Sequence, residues 1–239
     1  MANRGGVDLG GTKIQTVIVD AKHKVLGQAR RPTPTTGTPA DVKDAIAAAL
    51  VEAADAAGTK TSELSGIGVG SPGEIDPKTG AVSQARNLPG WEGTYPLADA
   101  LAEACGAPVA VGNDVQVATN AEFELGAGKD YRSLLGVFWG TGVGDGIVLD
   151  GKPWLGRGAA GEIGHVVVRL NGARCPCGRR GCMEAYAGRA AMEAEALRRQ
   201  EEGQKTDLFK LMEKHEKPRL TSSIWGRAIE HGDNLAIEL

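Results

Sequence analysis

Apolar positions near the start of the chain follow the periods of strands and then of a helix. Residues 5–20 place a glycine-rich turn between two apolar runs, and residues 25–31 continue with strand-like alternation. Between residues 41 and 57 apolar side chains recur at every fourth position, and Gly58 follows as a stop signal. The pattern predicts three strands and one helix, whose core positions are Val42, Ile46, Leu50 and Ala54.

Shorter apolar runs predict the elements that follow. Residues 67–69 and 109–111 are typical of buried strands, and residues 97–104 and 115–125 of helices. Residues 220–239 are periodic to the end and predict a single helix. We expect this helix to leave an apolar face without partners, formed by Ile224, Ala228, Leu235 and Leu239.

The opening pattern returns in the second half of the chain. A shift of 130 positions superposes Val7 on Val137, Gly10 on Gly140, Asp20 on Asp150 and Lys22 on Lys152. Both copies have the order strand, glycine turn, strand, which favours an internal duplication. We expect two α/β domains: residues 1–112, smaller, with the first glycine loop, and residues 113–239, larger, with the second loop and a cysteine-rich segment.

Composition narrows the class of protein. The formal net charge of the 239 residues is −3 with both signs interspersed, which gives no basic stripe for nucleic acid and no polybasic membrane patch. No apolar run approaches transmembrane length, and the first strand begins too early for a signal peptide. Free cysteines favour a reducing compartment, so we expect a cytoplasmic protein that binds neither nucleic acid nor membrane.

Three of the four cysteines and one of the four histidines are concentrated in a short segment: His165, Cys175, Cys177 and Cys182. Thiolate sulfur and imidazole nitrogen are the donors that tetrahedral zinc prefers, and Gly178 and Gly181 allow a short loop to wrap the ion. A disulfide framework is disfavoured, because three cysteines leave one unpaired and two of them are too close for easy bridging. The remaining Cys105 is predicted to be a buried small hydrophobe.

Two glycine loops have the composition of a phosphate-binding site. The first contains Asp8, Gly10, Gly11, Thr12 and Lys13, and the second Gly140, Thr141 and Gly142. Glycine lets backbone N–H groups approach an anion, while Thr12 adds a hydroxyl and Lys13 a positive charge. Asp8 can hold Mg²⁺ through water, because that ion prefers oxygen ligands. A tight hairpin turn explains the first loop equally well when it is taken alone, and the second loop at the equivalent place favours phosphate.

Asn113 and Asp114 stand between a predicted strand and a predicted helix. A carboxylate at such a position can serve as a general base. Asn and Asp are also favoured helix N-caps, and the local sequence alone favours the capping role.

Seven short motifs are spread along the chain: DLGGTK at 8–13, SPGEID at 71–76, NLPGW at 87–91, GND at 112–114, GTGVG at 140–144, AGEIGH at 160–165 and CPCGRRGCME at 175–184. Together they resemble the ROK family of bacterial sugar kinases and sugar-responsive repressors, over nearly the whole chain. The resemblance implies an α/β, actin-like and ribonuclease-H-like duplicated fold of two domains around a cleft. It also implies transfer of the γ-phosphoryl group of ATP to a hexose, with the 6-hydroxyl of glucose as the expected acceptor.

The resemblance implies roles for individual residues. Asp114 becomes the general base, and the implied sugar contacts are Gly73, Asn87, Asn113, Asp114, Glu162, His165 and Glu184. ATP and Mg²⁺ are implied at the two glycine loops. The implied zinc ligands are His165, Cys175, Cys177 and Cys182, in a structural site that fixes the segments carrying Glu162 and Glu184. We also expect a homo-oligomer, either a dimer or a tetramer.

Two features depart from the family pattern. Asp145 stands beside the second loop where the family often has glycine; its carboxylate would repel triphosphate if it faced that ligand and would be harmless if turned outward. Family members also continue beyond the position of Leu239, through a segment that completes the adenosine pocket. The resemblance therefore implies a chain truncated at its C-terminus, which we expect to bind hexose better than nucleotide and to show little or no kinase turnover.

The substrate stays open at this point. Kinases of N-acetylmannosamine or N-acetylglucosamine are the alternative enzymes, and the family's repressors offer a non-catalytic sugar-binding module. Those repressors carry an N-terminal helix-turn-helix, whereas the first strand predicted here begins within a few residues of Met1. Asp114 and the first glycine loop also favour catalysis.

Overall fold

The computed structural model of the protein describes residues 3–157 and 160–239. The chain divides into two compact units, one ending at Glu124 and the other beginning at Leu125. None of the helices in the described residues combines the length and the apolar character that crossing a bilayer requires. Each unit is an α/β structure with its own sheet.

The described residues of the first unit form a mixed five-stranded sheet with the order β3-β2-β1-β4-β7. Its elements in chain order are β1 (Arg4–Leu9), β2 (Lys13–Val19), β3 (Val25–Pro32), α1 (Pro39–Ala56), β4 (Ile67–Ser71), β5 (Glu74–Ile75), β6 (Val82–Ser83), α2 (Leu97–Cys105), β7 (Val109–Asn113) and α3 (Asp114–Leu125). Strands β1, β4 and β7 are parallel, whereas β2 and β3 are antiparallel to their neighbours. The carboxyl ends of three parallel strands therefore lie along one edge of the sheet, where α/β proteins place their ligands.

Helix α1 packs against β2 and β3, and all four of its predicted core positions are buried. It begins at Pro39, earlier than the apolar period predicts, because the preceding residue supplies a cap. Asp41 Oδ2 accepts hydrogen bonds from Thr38 N and Thr38 Oγ1, both at 2.7 Å. Proline is tolerated at the first helical position, where its missing N–H has no helical partner.

The described residues of the second unit contain an antiparallel sheet of order β10-β9-β8 and a set of helices. The elements are β8 (Leu134–Trp139), β9 (Val143–Leu149), β10 (Lys152–Pro153), a 3₁₀ turn (Ile163–His165), α4 (Glu184–Ala187), α5 (Arg189–Glu201), α6 (Leu208–Lys214), α7 (Ser222–Glu230) and α8 (Asn234–Glu238). The order repeats β3-β2-β1 of the first unit, in agreement with the predicted duplication. The second hairpin loop is shorter, since Leu9 pairs with Ile14 whereas Trp139 pairs with Val143.

The C-terminal segment consists of two helices, α7 and α8, and the prediction of a single helix is wrong. The break falls at Gly232, with φ of +74°, and Asp233 then caps α8 by accepting from Ala236 N at 2.9 Å. The predicted unpartnered apolar face is also wrong, because the break turns α8 back onto a second hydrophobic core. This core buries Ile224, Ala228 and Leu235 with Leu208 and Leu220, and Leu239 packs against it.

Candidate active site and metal centre

The first glycine loop closes the hairpin between β1 and β2. Gly10 N donates to Lys13 O at 2.9 Å. Thr33, which is buried, donates its hydroxyl to Gly10 O at 2.6 Å and its N–H to Thr12 O at 3.2 Å. The loop is thus a hairpin turn, and two carbonyl oxygens that would repel an anion are already used inside the unit. Sequence reasoning missed Thr33, because a lone threonine after a strand belongs to no motif.

Asn113 ends β7 and Asp114 begins α3. Asn113 Oδ1 accepts from Val115 N at 3.1 Å and from Gln116 N at 3.2 Å, which is the hydrogen bonding of an N-cap. Its Nδ2 donates to Gly73 O at 3.5 Å. Asp114 Oδ1 accepts from Val115 N at 2.9 Å. Asn113 therefore supplies the helix cap, and the Asp114 carboxylate is not required for that role.

Burial raises the pKa of Asp114 above its ordinary value, the Val115 N–H opposes the shift, and the negative charge of Asp8 adds to it. Asp8 pairs with Gly70 across β1 and β4, and a Cβ added at Gly70 would lie 3.4 Å from Asp114 Cα. The two acidic residues of separate motifs therefore lie close together at the carboxyl edge of the sheet. A carboxyl group with a raised pKa is a better proton acceptor at neutral pH than an ordinary aspartate.

Asn87 lies against the first glycine loop. A Cβ added at Gly11 would lie 3.0 Å from Asn87 O and 3.2 Å from Asn87 Nδ2. Both residues line a surface cavity of about 260 Å³, whose other walls are Pro34, Thr35, Arg86, Leu88 and Pro89. A predicted sugar contact and a predicted phosphate loop are thus neighbours in the first unit.

The second glycine loop is held by the segment that follows the cysteines. Gly140 N donates to Gly142 O at 2.9 Å and closes the hairpin between β8 and β9. The first two amides of α5 donate to the loop, Arg189 N to Gly140 O at 3.2 Å and Ala190 N to Thr141 O at 3.1 Å. As in the first loop, carbonyl oxygens are occupied within the unit.

Glu184, the first residue of α4, joins this loop to the cysteine segment. Its Oε2 accepts from Val143 N at 2.9 Å and lies against Gly142, where a Cβ would force the carboxylate to move. Its Oε1 is 3.9 Å from Cys175 Sγ. One carboxylate therefore contacts both the strand after the second loop and the predicted zinc site.

The four donor atoms of the predicted zinc site converge within 4.8 Å of one another. The sulfur atoms of Cys177 and Cys182 are 3.7 Å apart, and His165 Nδ1 is 3.6 Å from Cys175 Sγ. Tetrahedral bonds of about 2.3 Å to sulfur and about 2.0–2.1 Å to nitrogen separate the donors by about 3.6–3.8 Å. The chemistry and the spacing of these residues fit a closed zinc site of three sulfurs and one nitrogen.

A tight loop brings the cysteines together. Cys175 N donates to Arg179 O at 2.9 Å. Gly181 has a φ of +83° and lies against Arg169 O, where any side chain would collide. Hydrogen bonding to the Arg179 backbone lowers the pKa of the Cys177 thiol to about 6, whereas burial raises the pKa of Cys175 to about 12. A bound cation would favour the thiolate form of both.

The 3₁₀ turn carries two further predicted site residues. Glu162 precedes the turn in a left-handed conformation with φ of +51°, and His165 ends it. His165 Nδ1 faces Cys175, while its Nε2 lies 3.7 Å from Glu162 Oε2. Because the two ring nitrogens face different partners, one can bind a metal while the other contacts a carboxylate or a ligand.

Asp145 on β9 is turned toward this same turn. Its Oδ1 accepts from Ile163 N at 2.7 Å. The carboxylate is therefore engaged with the segment that carries Glu162 and is turned inward, not outward to solvent. Cys105 is 3% exposed within the first core, which confirms its prediction as a buried small hydrophobe.

Comparison with known proteins identifies the family of the chain. The sequence matches the ROK family over residues 4–232. It is 38% identical over 188 residues to a glucokinase of Thermotoga maritima, a match covering 78% of this chain and 57% of the relative. It is 34% identical over 191 residues to an N-acetylmannosamine kinase of Salmonella arizonae, covering 80% and 62%. The chain thus spans about three fifths of the length of these relatives.

The fold agrees with the sequence match. The crystal structure of a ROK family glucokinase from Streptomyces griseus, in complex with glucose and AMPPNP, superposes with a TM-score of 0.81 at 32% identity, covering 99% of this chain and 74% of that one. The predicted α/β fold of the actin-like, duplicated type is confirmed. By its sequence and by its fold, the chain belongs to the ROK family.

Proposed function

We propose that the protein transfers the γ-phosphoryl group of ATP to a hexose, with the 6-hydroxyl of glucose as the acceptor. The observation that carries this proposal is the Asp114 carboxylate, whose pKa is raised by burial and which the Asn113 cap leaves available for chemistry. The glucokinase relatives within the family support the choice of substrate.

Asp114 is the proposed general base. As the sugar oxygen bonds to the γ-phosphorus, the bond from that phosphorus to the bridging oxygen of ADP breaks, and the hydroxyl proton passes to the carboxylate. Most of the rate acceleration comes from positioning and charge neutralisation, and a base of this kind contributes about 10²–10⁴-fold.

The two glycine loops are the proposed phosphate-binding elements, through Gly10, Gly11, Thr12 and Lys13 in the first and Gly140, Thr141 and Gly142 in the second. Support comes from the engagement of loop carbonyls by Thr33 and by the start of α5, which turns those oxygens away from an anion. Mg²⁺ held with the help of Asp8 would neutralise phosphate charge.

The sugar hydroxyls require several polar partners, and each unit supplies a set of them. The proposed contacts are Gly73, Asn87, Asn113 and Asp114 in the first unit and Glu162, His165 and Glu184 in the second. Zinc bound by His165 and the three cysteines would be structural. It would fix both segments that carry the sugar contacts of the second unit, because His165 lies on one and Cys182 on the other.

A kinase of N-acetylmannosamine is the second candidate, favoured by the relative of that name at 34% identity. N-acetylglucosamine kinase and a non-catalytic sugar-binding module complete the alternatives. A module that only binds sugar needs no general base, so loss of turnover in Asp114→Asn would argue against that alternative.

A coupled ADP-release assay with a panel of sugars tests the proposal. We expect glucose to support the highest kcat/KM, ahead of N-acetylmannosamine and N-acetylglucosamine. If either amino sugar gave the highest kcat/KM, that sugar would be the substrate in place of glucose. Sugar binding measured by calorimetry without any sugar-dependent ADP release, in a chain extended to the length of its relatives, would instead favour the binding module.

A further inference from the structure

Asp145, three residues after the second glycine loop, contacts a segment that lies 18 positions further along the chain. It lies on β9, opposite Val137, and its Oδ1 accepts from Ile163 N at 2.7 Å. Its Oδ2 is fully buried and has no hydrogen-bond partner within the described residues. Burying a carboxylate oxygen without a hydrogen-bond partner costs free energy, so another interaction must hold Asp145 in this position.

The backbone on the other side of this contact is shaped to receive the carboxylate. Gly161 has a φ of +87°, and its α-carbon lies so close to Asp145 that any Cβ would collide with Oδ2. Gly164 likewise leaves no space for a Cβ against Val143 O. The segment thus rests directly on β9 at two glycines, with the Asp145–Ile163 hydrogen bond between them.

The residues held in this way are functional under the proposed function. Glu162 and His165 lie on either side of Ile163 and Gly164, and both are proposed sugar contacts, while His165 is also a proposed zinc ligand. Glu162 has the left-handed φ of +51°, which is unfavourable for a residue with a side chain and persists only where the surroundings impose it. The hydrogen bond from Ile163 N to the Asp145 carboxylate helps to impose this conformation, because charge-assisted hydrogen bonds are stronger than neutral ones.

We propose that Asp145 is a positioning residue, which fixes the Glu162–His165 turn against β9 so that Glu162 meets the sugar and His165 meets the metal. It touches neither the reacting atoms nor the donor atoms of the metal site. Its effect on sugar affinity rests on the proposed function, whereas its effect on the metal site does not.

The test compares Asp145→Ala with Asp145→Asn, and with Asp130→Ala as a matched control at an exposed aspartate of the same unit. The asparagine variant keeps an oxygen that can accept from Ile163 N, and the alanine variant does not. Glucose affinity is measured by calorimetry, zinc release by a colorimetric chelator, and kcat and KM for glucose by ADP release.

We expect Asp145→Ala to weaken glucose binding about tenfold and to speed zinc release about tenfold. An effect of this size corresponds to the loss of one hydrogen bond to a charged group. KM for glucose should rise with kcat little changed, and Asp145→Asn should restore most of both properties. Wild-type behaviour of Asp145→Ala would overturn the proposal, and so would equal losses in both variants. If the wild-type protein binds no sugar, the proposed function fails, while the zinc-release comparison still decides the role of Asp145.

Discussion

Glu184 Oε2 accepts a hydrogen bond from Val143 N at 2.9 Å, across 41 positions of sequence. Val143 is the first residue after the second glycine loop, and Glu184 follows Cys182 closely in the chain. The contact ties the loop proposed for phosphate to the segment proposed for zinc and sugar. A residue expected only to bind sugar therefore has a second contact that the motif did not predict.

Replacing Glu184 should separate these two contacts. Glu184→Ala removes the acceptor for Val143 N, and we expect hydrogen exchange at that amide to accelerate by about tenfold or more. Glu184→Gln keeps an acceptor oxygen, so loop protection should be largely retained while glucose affinity falls. Amide exchange followed by mass spectrometry or NMR, with calorimetry for glucose, measures both effects. Equal protection of Val143 in the alanine variant would show that the carboxylate does not hold the loop.

Asp114→Asn should abolish most of the catalysis and leave sugar binding intact. The amide keeps the shape of the carboxylate but cannot accept the hydroxyl proton, so kcat should fall about 10²–10⁴-fold. Asp130→Asn, at an exposed position, provides the control. Unchanged turnover in the Asp114 variant would remove this residue from the mechanism.

Asp114 should also affect how the stability of the protein depends on pH. Because the pKa of Asp114 is raised in the folded state, the folded protein binds this proton more tightly than the unfolded chain does. The contribution of Asp114 to stability is therefore most favourable below about pH 4 and falls as the pH rises toward the folded pKa. Relative to wild type, the Tm of Asp114→Asn should be equal or higher at pH 7, and this advantage should vanish in acid. A Tm at pH 7 well below that of wild type would contradict this account.

The negative charge of Asp8 should contribute to the raised pKa of Asp114. The rate of an enzyme with Asp114 as base falls in acid as the carboxylate is protonated, with a midpoint above the ordinary value of about 3.9. Asp8→Asn removes a negative charge that raises this pKa, so the acid limb of kcat/KM should move to lower pH. An unmoved limb would mean that Asp8 does not influence the base.

The zinc assignment predicts one bound ion per chain that is released slowly to chelators. Elemental analysis of protein purified without chelator should give a stoichiometry near one, and Cys177→Ser combined with Cys182→Ser should lose the metal and lower the Tm. Cys105→Ser is the control, since Cys105 lies in the other core. Substoichiometric zinc, or unaltered folding of the double variant, would contradict a structural metal site.

Much of the first unit follows from local patterns. The period of α1 predicts its buried face because each helical turn brings one apolar residue to the sheet. The start of α1 at Pro39 is harder to predict from the sequence, because it depends on the contact between Thr38 and Asp41. At the C-terminus the periodicity continues across Gly232, and only tertiary burial of Leu235 shows that α8 has turned back onto the core.

Part of the candidate site could likewise be predicted from the sequence, and part could not. Close spacing and ligand chemistry predict the convergence of the cysteines with His165, because the loop is too short to carry them apart. Thr33 and the Asp145–Ile163 contact could not be predicted, since each joins segments that are distant in sequence through a single hydrogen bond. The division of labour between Asn113 and Asp114 likewise depends on which side chain reaches the helix amides.

A single-turnover experiment tests the central claim most directly. ATP labelled in its γ-phosphoryl group is mixed with an excess of the protein and with saturating glucose. Under these conditions the transfer is detected even when it is slow or when ATP binds weakly. We expect the label to appear on glucose 6-phosphate with an equal amount of ADP, and we expect Asp114→Asn to slow this transfer at least about 100-fold. Label found only in inorganic phosphate, or equal transfer by the Asp114→Asn variant, would contradict it.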